Sequence, residues 1–118
     1  MRAASALVLL QLALSAARAD NSADEAEVAF QLGNDAYTRR DYRQALSSYF
    51  VSHRLVPNRN VLFNIARCYE ALERFDEAYR YYNDLASLDL PANDRKEVAL
   101  ALSRIRPRVA LLRVVTEP

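Results

Sequence analysis

One glycine and no tryptophan stand among these 118 residues. So little glycine withholds the turn chemistry that β-sandwiches and barrels depend on, and it favours helices. It also excludes a glycine-rich phosphate loop, because Gly33 stands alone inside a helical stretch. Cysteine is equally scarce. Cys68 has no second thiol to pair with, so stability must come from packing whatever the redox compartment. Its apolar neighbours make it read as a small core residue. The one histidine, His53, belongs to no C-x-x-C or H-E-x-x-H spacing, so neither a metal site nor a cofactor is expected. A catalytic site needs a nucleophile, a base and an orienting group in one place, and the expected helices put His53 and Cys68 in different layers. The chain is therefore not expected to be an enzyme.

Charge of one sign is lacking as well. Lys and Arg together number 16 against 15 Asp and Glu, and Lys96 is the single lysine. Such a balance gives no electrostatic drive toward nucleic acid or an anionic membrane. What is present is apolar: 52% of residues are hydrophobic and 26% charged, the composition of one globular domain.

The first nineteen residues differ from the rest. Met1-Arg2 gives a positive start, Ala3 to Leu14 is apolar apart from Ser5 and Gln11, and Ala17-Arg18-Ala19 puts small residues ahead of Asp20. That order is a secretory signal peptide, residues 1–19, and it implies export to the periplasm or beyond. The apolar run is short of the roughly 20 residues a membrane span needs. No span is expected after cleavage.

Beyond the leader the chain repeats itself. A shift of 33 lays Leu32-Gly33 on Ile65-Ala66, Tyr42 on Phe75, Ala45 on Ala78 and Tyr49 on Tyr82. Pro57 and Pro91 close the two units. Apolar residues recur three and four apart, as in Val28, Leu32, Ala36, in Phe30, Gly33, Tyr37, and in Leu62, Ile65, Ala66, Tyr69. Asp41 and Asn58 suit helix N-caps. The pattern predicts helices over 22–39, 42–55, 59–72, 75–88 and 92–105.

Both units, Leu32-Gly33 with Tyr37, Tyr42, Ala45, Tyr49 and Pro57, and Ile65-Ala66 with Tyr69, Phe75, Ala78, Tyr82 and Pro91, resemble the tetratricopeptide repeat. The resemblance covers residues 24 to 91 and implies an all-α fold, an α-α superhelix of two helical hairpins. Gly33, Ala66, Ala45 and Ala78 would be the small residues at which paired helices nearly touch. The chain departs from the family pattern where Ala29 and Leu62 stand in place of its early tryptophan. Val98, Ala101, Leu102 and Ile105 form a further apolar stripe that suits a capping helix stopped at Pro107, completing a helical domain over 20–106.

Residues 107–118 read as a linker and a short C-terminal strand, because Val109 to Val115 is β-branched and apolar. The run Leu112 to Pro118 is similar to the opening strand of PEGA-type β-domains, which follow tetratricopeptide regions in some exported bacterial proteins; any β-strand accounts for it equally. A lone strand needs a partner. It implies either that this is the N-terminal part of a longer protein or that the strand pairs with another chain.

The resemblance also places a concave face on the first helix of each pair. Phe30, Asn34 and Tyr37 would line it from one unit, and Phe63, Asn64, Arg67 and Glu70 from the next. The asparagine amides could grip a peptide backbone, the phenylalanines supply apolar contact, and Arg67 meet an acidic group. The same residues also read as ordinary helix surface. Asn34 and Asn64 resemble the asparagines of carboxylate-clamp members of the family, but Phe30 stands where those carry lysine, so that activity is not implied. The expected function is a protein–protein interaction or scaffolding module of the bacterial envelope that takes a peptide or partner helix in its groove. The alternative is a structural spacer or oligomerisation element carrying a C-terminal β-domain.

Overall fold

A computed structural model describes residues 2–116. Five helices account for nearly all of them: α1 Arg2–Thr38, α2 Tyr42–Leu55, α3 Arg59–Ala71, α4 Phe75–Ala86 and α5 Ala92–Thr116. The main contacts run between helices consecutive in the chain, α1 with α2 and so on to α5. Within each hairpin the helices are antiparallel. Tyr37 meets Tyr42 beside the first turn while Ser52 reaches back to the carbonyl of Ala26 at 2.8 Å.

The connections show why the helices end where they do. Asp41 caps α2, its carboxylate accepting the Gln44 N–H at 3.2 Å. Asn58 caps α3 by accepting the Asn60 N–H at 2.8 Å. The two hairpin turns are copies of each other. In the first, Arg40 N–H donates to the Tyr37 carbonyl and Asp41 N–H to that of Ala36; in the second, Glu73 N–H donates to Glu70 and Arg74 N–H to Tyr69. This is the Schellman pattern, which needs a left-handed residue after the helix. Arg40 and Glu73 take it at φ 61° and 58°, where glycine would sit without strain.

The four small residues of the repeat are all buried. Ala45, Ala66 and Ala78 have no exposed surface, and a Cβ added to Gly33 would come within 2.6 Å of Cδ1 of Tyr49. The close approach expected at Gly33 is therefore present, and the aromatic ring of α2 occupies the missing side chain's volume. One core cluster joins α1, α2 and α3 around Tyr49, Ile65 and Cys68; a second joins α3, α4 and α5 around Tyr82, Leu85 and Ile105.

Two expectations need correction. Residues 109–116 are helical rather than a strand, and Pro107 lies inside α5 instead of ending it. Val109 is buried four residues beyond buried Ile105, so the apolar stripe of α5 continues and packing overrides β-branched composition. Pro107 and Ser103 are both exposed, so the carbonyl that loses its helical donor at Ser103 can face water. Residues Glu117 and Pro118 of the expected strand lie outside the described residues. Second, α1 does not start near residue 22 but runs unbroken from Arg2, which leaves Asp24 and Glu25 in mid-helix. Val28 and Leu32 are solvent-exposed, at 61% and 55%. Their counterparts 33 residues on, Val61 and Ile65, are buried at 4% and 0% against the first hairpin. Among the described residues no other helix covers that face of α1, so the same pattern gives core in one copy and surface in the other.

The apolar residues expected to form a leader share this helix. Leu7, Leu9, Leu10 and Leu12 are all more than half exposed. Among the described residues, Ala3–Thr38 is a helix long and apolar enough to cross a membrane by length and composition, a test that a signal sequence also passes.

Candidate functional site

The buried tyrosines anchor polar residues of the expected groove. Each ring fills the space beside a small residue, but its hydroxyl cannot be left unpaired in the interior. Tyr49 Oη donates to Asn34 Oδ1 at 2.8 Å, and Tyr82 Oη donates to Glu70 Oε2 at 2.8 Å. Burial, with a smaller push from neighbouring Cys68, raises the Tyr49 hydroxyl to about 12. Both tyrosines stay neutral donors, so α2 and α4 hold polar groups of α1 and α3 in place.

Glu70 is held further. Arg104 of α5 binds it with both arms of its guanidinium, Nη2 lying 3.0 Å from Oε2. Burial pushes the Glu70 carboxyl up, but the hydrogen bonds from Arg104 and Tyr82 outweigh it and hold it below its usual range. The carboxylate is thus fully engaged, and it ties α3 to both α4 and α5.

Arg67, one turn away, has no such partner. Its guanidinium lies over the Tyr37 ring at 5.0 Å and forms no ion pair among the described residues. Tyr37, Phe63, Arg67 and Glu70 line one open recess of about 360 Å³ together with Tyr82 and Arg104. Two guanidinium groups face one carboxylate there. The recess is apolar-walled, with one cation free to take an anion.

These four of the expected groove residues are brought together; the other three are not. Asn34 has one of the two acceptor positions of its side-chain carbonyl committed to Tyr49, which fixes its orientation. Phe30 packs on Tyr49 with ring centroids 6.0 Å apart and faces a separate notch lined by Ser52, Val56 and Asn58. Asn64 lines a neighbouring cleft of about 240 Å³ between α3 and α5, together with Phe63, Leu90, Asp94 and Glu97. The pattern did not assign Tyr82, Arg104 or the acidic pair of α5 to a site. A signal for Arg104 was present, because carrying the 33-residue shift once more maps Ile65 onto Val98, Leu72 onto Ile105 and Ala71 onto Arg104.

His53 and Cys68 stay apart. His53 Nδ1 accepts the Asn58 N–H at 3.1 Å, bracing the α2–α3 connection. Cys68 is fully buried, and burial raises its thiol to about 12, far from a reactive thiolate. Among the described residues no group of three or more His, Cys, Asp or Glu could hold a metal. Neither a scan against protein-family models nor a search of curated proteins finds a match to this chain.

Proposed function

We propose that this protein is an exported protein-interaction module, without catalytic activity of its own, that holds a segment of a partner protein in the concavity formed by α1, α3 and α5. The observation that carries this reading is the recess around Arg67. Tyr37, Phe63 and Tyr82 give it apolar walls, Glu70 and Arg104 neutralise each other, and the Arg67 cation remains for an acidic group of the partner. The resemblance of residues 24 to 91 to tetratricopeptide repeats supports the same reading, since such hairpins present their first helices as a binding face. The leader-like residues 1–19 support export to the bacterial envelope. The strand that the spacer or oligomerisation alternative drew on is not seen over residues 109–116, which are helical.

The test compares two faces of the same molecule. Partner cross-linking in the periplasm is measured for Arg67→Glu, in the recess, and for Arg43→Glu, exposed on α2. Loss with the first and retention with the second is the expected result. Equal behaviour of the two variants refutes the concave site. Asn34→Ala is a poor probe, because it also strips the Tyr49 hydroxyl of its acceptor.

A further inference from the structure

Phe63 is a shared wall: it lines the Arg67 recess on one side and the cleft of about 240 Å³ between α3 and α5 on the other. That second cleft has a different chemistry. Its floor is apolar and buried, with Leu85, Leu90 and Val98 at 1%, 6% and 2% exposure. Its rim carries Asp94 and Glu97 against Arg59, so acid outnumbers base. Neither carboxylate forms an ion pair or hydrogen bond among the described residues.

An apolar floor below unpaired carboxylates matches a side chain with a hydrocarbon stem and a cationic tip, which is arginine or lysine. A purely apolar group would strip water from the carboxylates without replacing it, and an acidic one would be repelled. The adjoining recess has the opposite preference because of Arg67. Along α3 the two sites are centred about six or seven residues apart, from Asn60 and Asn64 to Arg67 and Glu70. At about 1.5 Å per residue that is roughly 10 Å. A polyproline II segment rises about 3.1 Å per residue and returns to the same face every third residue, which spans about 9 Å.

Resting on the groove reading, we infer that the bound partner segment is an extended peptide with a basic and an acidic residue three positions apart. The basic side chain enters the α3–α5 cleft toward Asp94 and Glu97, and the acidic one meets Arg67. Phe63 packs between them.

Fluorescence anisotropy on the full chain, expressed from its own leader, tests this with four blocked nine-residue peptides on a proline–alanine background. One carries Arg and Glu three apart; in the others Arg, Glu or both are replaced by Gln. The charged pair should bind best, and each replacement should weaken binding roughly tenfold. In the Asp94→Asn, Glu97→Gln double variant the preference for Arg over Gln should fall below twofold while the preference for Glu persists; Arg67→Gln should do the reverse. Both variants alter partly or fully exposed side chains, and unchanged helical circular dichroism verifies the fold. If the neutral peptide binds as tightly as the charged pair, or if the Arg preference survives in the double variant, the inference is wrong and the groove reading stands. If none of the four peptides binds, the inference is wrong, and the cross-linking comparison of Arg67→Glu with Arg43→Glu decides the groove reading.

Discussion

Replacing Gly33 by alanine sets two forces of opposite sign against each other. By helix propensity alone, alanine in mid-helix should stabilise by about 0.5–1 kcal/mol. The packing argues otherwise. The new Cβ would lie 2.5 Å from Cε1, 2.6 Å from Cδ1 and 3.1 Å from Cγ of Tyr49, so the body of the ring is in the way rather than a movable tip. The ring has little room to move, because it is buried, tied at Oη to Asn34 and flanked by Phe30. Overpacking of this kind costs about 1–3 kcal/mol. The net expectation is a loss of about 1 kcal/mol, or a Tm lower by about 4–8 °C for a domain of this size. Thermal and urea melts followed by circular dichroism measure it. On a Tyr49→Leu background the clash is absent, and the same Gly33→Ala change should turn stabilising. A Tm that rises for Gly33→Ala alone, or an effect of the same sign in both backgrounds, refutes the close-approach argument.

Two further expectations concern the second hairpin. Glu73→Gly should stabilise by about 1 kcal/mol in the same melts, because Glu73 holds a left-handed φ of 58° that glycine adopts freely; a loss of stability would mean that its side chain matters more than its backbone. Glu70→Gln should destabilise near neutral pH, by no more than about 1 kcal/mol since Arg104 is largely exposed. The Glu70 carboxyl is held below its usual value, so its contribution is complete above the unfolded carboxylate pKa of about 4.3 and is lost as pH falls through the lower folded value. The stability gap between wild type and Glu70→Gln should therefore be constant from about pH 6 to 8 and close on acidification. A gap that widens in acid refutes it.

The hairpin helices were legible because their signals are local. Asp41 and Asn58 cap α2 and α3 as their positions in the sequence suggest, and α2 spans the expected Tyr42–Leu55. The C-terminal stretch was misread because two signals disagreed there. Val109 to Val115 has strand composition, yet Ile105 and Val109 keep the four-residue step of a buried helix face. Leu32 is exposed where its counterpart is buried. Sequence shows that it corresponds to Ile65, but burial depends on whether a layer lies in front, and that is a property of the assembled stack. The recess followed similar logic. Arg67, Glu70, Tyr37 and Phe63 could be placed from the register of the first helices, whereas Asn34 looked free until the reach of Tyr49 across the hairpin was known.

The twin turns at Arg40 and Glu73 have a mechanical consequence. The main contacts join successive helices, with Arg67 over Tyr37 and Arg104 on Glu70 as side-chain bridges across the proposed groove. Its opening is the sum of small angles set at each reversal of the chain. A tilt introduced at Arg40 is carried like a lever through every helix that follows. A substitution far from the recess can therefore change the span between its two ends without touching any residue that lines it.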